Sequence, residues 1–184
     1  MLNNLHVPVW QWAISQVFAL CALGLICFAY SIKRKRTVLF AIGSGCLLNA
    51  IVNIILLNWV VVCIMLVAAT TNFVMSYFEF RREKGKTVNK YASFVITLCL
   101  AVAMAIAICS VADWWFDYVL LVSSLCITVS SWLRGIHLHR FTCFAYDSLA
   151  IVNCWVYSNY IGIIMSIISI IAVVVFYARF LKKH

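Results

Sequence analysis

The chain has 184 residues, 66% of them hydrophobic and only 10% charged, with a formal net charge of +9 and a mean hydropathy of +1.07. A water-soluble surface needs far more charge than this, so composition excludes a soluble domain and predicts an all-α integral membrane protein. One membrane-spanning helix takes about 20 apolar residues, and seven of them leave no room for a second, soluble domain.

The first predicted helix covers residues 9–31. No Lys or Arg precedes it, and Lys33, Arg34, Lys35 and Arg36 follow it. That charge order predicts a retained helix with its N-terminus outside, and not a cleavable signal. Spans 38–57 and 60–80 come next, joined by a tight turn at Asn58-Trp59. The longest polar break then runs from Arg81 to Lys90. Beyond it lie span 91–111 and spans 116–133, 141–157 and 160–180, the last two joined at Ser158-Asn159.

All fourteen Lys and Arg fall in every second break. The basic breaks are Lys33–Arg36, Arg81–Lys90, Arg134–Arg140 and Arg179–Lys183. The intervening breaks hold none. Short loops rich in Lys and Arg stay cytoplasmic, which predicts seven crossings, an outer N-terminus and a cytoplasmic C-terminus. The spans group as a first three-helix bundle (9–80), a linker helix (91–111) and a second three-helix bundle (116–180). Together they make a 3+1+3 arrangement of two parallel bundles in a single transmembrane domain, 1–184. Such parallel repeats recur among transporters. Ala50-Ile51-Val52-Asn53 recurs as Ala150-Ile151-Val152-Asn153. Ile64-Met65, Tyr77 and Phe80 reappear in the same register as Ile164-Met165, Tyr177 and Phe180.

The net positive charge is explained by loop asymmetry and by attraction to anionic lipid headgroups, so lipid is an expected partner and nucleic acid is not. The nine cysteines lie within apolar stretches and form no Cys-x-x-Cys pair. They read as packing residues, with no disulfide framework or zinc site. His137 and His139 have no further ligands in view, so no metal and no cofactor are expected. Hydrolase, metalloprotease and phosphate-loop motifs are missing, and the chain is not expected to be an enzyme. Self-association is left open.

Ionisable and amide groups at membrane depth carry the functional expectation. Asp147 lies about 10 Å inward from Arg140 at 1.5 Å per residue. Asn49 and Asn72 fall near the midplane by the same count. With Ser44 and Ser148 they predict a central polar cavity. Asn53, Asn153 and Gln16 lie nearer the outer face. Each amide alone also fits a role as hydrogen-bonding glue between helices. Trp10, Trp12, Trp59, Trp114 and Trp115 read as an outer aromatic belt, with Trp132 at the inner end as belt or gate. Gly43-Ser44-Gly45 is a small-residue cluster that permits close packing.

These features resemble the YgjV-type inner-membrane proteins of bacteria. The matching positions are Ser15-Gln16, the basic run after the first helix, Asn72, Ser131-Trp132, Arg140, Trp155 and Arg179. More remotely the chain is similar to SWEET and PnuC-like transporters. The resemblance implies a multi-pass protein of the bacterial cytoplasmic membrane that moves a small polar solute such as a sugar, nucleoside or vitamin. The chain departs from the SWEET pattern in lacking helix prolines and in its wholly apolar stretch Ile170–Val175. The expected function is a small-molecule permease working by alternating access, with substrate contacts at Asn49, Asn72, Asp147, Asn53, Asn153, Ser44, Gln16 and Trp132. The alternative is a membrane scaffold or regulatory subunit without transport.

Overall fold

A computed structural model describes residues 7–31, 34–85, 90–112, 114–133 and 136–181. Among them are seven helices: α1 (Val9–Ser31), α2 (Lys35–Ile55), α3 (Trp59–Glu83), α4 (Lys90–Val111), α5 (Trp115–Leu133), α6 (Ile136–Val156) and α7 (Tyr160–Leu181). No strand occurs among the described residues. Helices are the form that satisfies every backbone group within one segment, as hydrocarbon requires. Four stretches are long and apolar enough to cross a membrane: Val9–Ala29, Arg36–Ile55, Trp59–Glu83 and Phe94–Val111. The described apolar stretches of the last three helices are shorter, at Trp115–Cys126, Phe144–Val156 and Tyr160–Val175.

The helices pack in a closed order. Helix α1 lies on α2, α2 on α3, α3 on α5, α5 on α6, α6 on α7 and α7 back on α1, while α4 rests against α3 and α5. Glycine sets the spacing of the first three. A Cβ at Gly43 would meet the Phe73 ring at 3.0 Å, and one at Gly45 would meet Ile26 at 3.1 Å. The two apolar clusters follow the packing order. Val60 and Ile64 of α3, Met104 and Ile108 of α4, and Phe116, Leu120 and Leu121 of α5 form one. Ala19 of α1 with Val52 and Leu56 of the α2 end forms the other, next to Ile161 of α7.

The two tight turns share one design. In the first, the Asn58 amide donates to Asn53 O at 2.9 Å and the Leu57 amide to Ile54 O at 3.1 Å, with Leu57 at φ +58°. In the second, Asn159 donates to Cys154 O at 2.8 Å and Ser158 to Trp155 O at 3.1 Å, with Ser158 at φ +53°. This paired bonding around a left-handed residue is the Schellman termination of a helix. Each turn then starts the next helix at once. Asn58 Oδ1 accepts from the Val61 amide at 3.3 Å and Asn159 Oδ1 from the Gly162 amide at 2.9 Å, the usual work of an Asn N-cap. Gly162 fits here because a Cβ would meet Cys154 Sγ at 2.7 Å and Asn159 Cγ at 2.8 Å.

Superposing the turns shifts the sequence repeat by one residue. Asn58 corresponds to Asn159 and Leu57 to Ser158, so Asn153 falls opposite Val52, and Asn53 opposite Cys154. One residue turns a helical side chain by about 100°. Asn53 and Asn153 therefore do not occupy equivalent places, despite the matching tetrapeptides.

The opposite end of the first three helices is basic. Arg34 holds Glu83 through Nε at 3.2 Å and Nη2 at 2.9 Å. The Arg36 guanidinium lies 4.2 Å from the Phe80 ring centroid and Lys84 Nζ 4.3 Å from it. Ser76 Oγ donates to Arg36 O at 3.0 Å, tying α3 to the start of α2. Arg82 pairs with Glu79 at 2.8 Å.

Candidate functional site

Three polar links join the first helices to the last at the end of the bundle that carries both tight turns. The Asn58 amide nitrogen donates to Asn153 Oδ1 at 2.7 Å, and both residues are buried. Trp12 Nε1 donates to the Ser158 carbonyl at 2.9 Å. The Ile161 amide, one of the orphan donors that open a helix, donates to Gln16 Oε1 at 3.2 Å. Gln16 is held in turn by Ser15, whose hydroxyl accepts from Gln16 Nε2 at 3.2 Å and donates to Trp12 O at 2.7 Å. Ser15 is fully buried. The Trp12 ring also meets Tyr160 edge to face, 6.0 Å between centroids. The pair Ser15-Gln16 is thus the bracket that seats α1 on the start of α7.

The residues expected at the midplane divide into two groups. Asn49 and Asp147 converge on α7. Asn49, buried, reaches Met165 Sδ at 3.9 Å. Asp147 accepts a hydrogen bond from the Ser169 hydroxyl. Met165 and Ser169 are four residues apart, so they share one face of α7. The second group turns back on its own helices. Asn72 Nδ2 donates to Ala68 O at 2.8 Å, Ser44 Oγ to Phe40 O at 3.0 Å and Ser148 Oγ to Phe144 O at 2.8 Å. Asn53 does the same, donating to Asn49 O at 2.8 Å. Trp132 falls within α5, and its side chain lies outside the described residues. So do the side chains of His137, His139, Arg140 and Arg179.

Sequence reasoning missed several partners. Asn58 and Asn159 read only as turn residues, although Asn before an apolar run is a helix-start signal. Ser169 escaped notice because the stretch after it is apolar. By depth alone Trp12 reads as a lipid-interface residue, whereas its indole donates to Ser158 O. Among the described residues, no group of three or more His, Cys, Asp or Glu side chains could hold a metal ion. Two cavities lie at the end with the tight turns, one lined by Trp59, Trp114 and Asp117 among others, the other by Trp10, Gln11 and Ile14 among others. Neither is lined by Asn49, Asn72 or Asp147.

No family model, curated protein or solved structure matches this chain.

Proposed function

We propose that the chain is a small-molecule permease of the bacterial cytoplasmic membrane, built as two parallel three-helix units joined by a linker helix. The observation that carries this reading is the packing order. Exchanging α1, α2 and α3 with α5, α6 and α7 turns the α1–α7 contact into the α5–α3 contact, and both are present. Each unit keeps its own tight turn, and helix α4 stands outside the ring, as a connector must. All fourteen Lys and Arg lie in alternate breaks, which supports seven crossings with the basic ends cytoplasmic. Substrate then passes between the units, with Asp147 and Asn49 facing it near the midplane and the Asn58–Asn153 contact closing the outer end. Small polar solutes fit a site of one carboxylate, amides and hydroxyls.

The test is flux. Purified protein in proteoliposomes is screened with sugars, nucleosides and vitamins, alongside Asp147→Asn. A solute that crosses with the native chain and at least about tenfold more slowly with the variant supports the reading. Absence of flux for all candidates, with protein shown to be folded, removes it.

A second reading is a membrane scaffold or regulatory subunit. Its support is specific: Asn72, Ser44 and Ser148 bond to their own helices. On this reading Asp147→Asn alters stability and no flux exists to lose.

A further inference from the structure

Asp117, in the first turn of α5, is used by neither the packing nor the permease reading. Asp117 is 8% exposed. Its Oδ2 accepts from the Trp114 amide at 3.2 Å, and its own amide donates to Trp114 O at 3.0 Å. That reciprocal pairing, like a capping box, starts α5 and fixes the carboxylate. The N-terminus of α5 supplies only a partial positive charge there. No Lys or Arg stands in any of the breaks at this end of the chain. A buried carboxylate needs a counter-charge, and the chain's own basic side chains lie at the far ends of the helices.

Beside Asp117 is a cavity of about 100 Å³. Its lining includes Trp59, Trp114 and Tyr157 together with Val60 and Val111. The Trp114 ring is braced by Phe116, 5.4 Å between centroids, and Phe116 is itself anchored in the apolar core. An acid set among aromatic faces suits one class of ligand. Ring faces attract cations, and organic ammonium groups most, because their methylene or methyl surface also packs on the rings. A calcium or magnesium ion would need six or more oxygens, and Asp117 supplies the one side-chain carboxylate among the described lining residues.

We propose that this outer cavity binds a small organic ammonium ion, with the Asp117 carboxylate as counter-ion and Trp59, Trp114 and Tyr157 as the aromatic wall. The same chemistry is offered by a free amine and by the ethanolamine or choline headgroup of a lipid. The cavity touches the residues flanking Asn58 and Ser158, so occupancy bears on the contact between the two turns. The site stands independently of transport.

The experiment uses the full chain in nanodiscs. Choline and ethanolamine are titrated calorimetrically against 3,3-dimethylbutanol, the uncharged isostere of choline. In parallel, native mass spectrometry compares retention of phosphatidylethanolamine and phosphatidylglycerol. The expected result is at least about tenfold tighter binding of the ammonium than of the isostere, or preferential retention of phosphatidylethanolamine, and loss of that preference in Asp117→Asn. The first outcome identifies a free solute and the second a headgroup. Because Asp117→Asn also weakens the α5 start, Trp59→Leu is the second variant: it leaves the cap intact and should weaken binding about fivefold or more. Equal binding of choline and its isostere together with equal retention of the two lipids overturns the proposal. So does an ammonium preference that survives both variants.

Discussion

The bond between Asn58 and Asn153 makes a measurable claim about coupling between the two turns. Asn58 does two things at once: its Oδ1 caps α3 and its Nδ2 donates to Asn153 at 2.7 Å. Asn153→Ala removes only the second, leaving a buried donor unmatched, at a cost of about 1–2 kcal/mol. Asn58→Ala removes both, and the lost cap adds about 1 kcal/mol. The double variant should then cost about 1 kcal/mol less than the two single costs combined, since the shared bond is lost only once. The assay is reversible unfolding in mixed micelles, following helix content. A coupling below about 0.3 kcal/mol, the usual noise of additivity, would refute the reasoning and make the two turns neighbours without a bond.

Other consequences of the geometry are as direct. Leu57→Gly and Ser158→Gly should each stabilise the chain by about 1 kcal/mol, because both residues sit at positive φ where a side chain is strained; the same unfolding assay checks them. Gly162→Ala should destabilise by about 1–3 kcal/mol, since its Cβ meets Cys154 Sγ at 2.7 Å, whereas Gly24→Ala meets nothing within 4 Å and should raise the midpoint by the helix preference for Ala. Trp12→Phe keeps the ring but removes the donor to Ser158 O, at a cost of about 1 kcal/mol; the loss should be absent if Trp12 only faces lipid.

The helix pattern was legible because hydrophobic length and basic loops are one-dimensional signals. Every expected span overlaps a helix within a few residues, and the two tight turns fall where Asn58-Trp59 and Ser158-Asn159 stand. What a side chain meets across the bundle was not legible. Depth along a helix follows from counting residues, but direction around it depends on packing. Asn49 and Asn72 have similar depth, yet one reaches α7 and the other bonds its own turn. Asn53 and Asn153 match in sequence and differ in partner because the turns are displaced by one residue. Asp147 stood out as a lone acid, whereas its partner Ser169 is an ordinary hydroxyl in an apolar helix. The turn at Asn58 carried a cap signal, but only the fold reveals that the remaining half of that amide spans to α6.

At the end of the bundle with the tight turns, three described links join the first helices to the last: Asn58 to Asn153, Trp12 to Ser158 and Ile161 to Gln16. Polar links between membrane helices are worth about 1 kcal/mol each. Three of them weight an arrangement closed at this end by roughly a hundredfold over one in which all are broken. For a permease that bias is small enough for a bound solute to overcome and large enough to keep the unloaded protein shut on the outside. If the chain is the proposed permease, Asn153→Ala should shift the unloaded protein toward opening at this end by about fivefold to tenfold. Thiol-labelling rates at Cys154, one residue from Asn153 and only partly exposed, report that shift. Unchanged labelling in a folded variant means that the outer contacts glue helices and gate nothing.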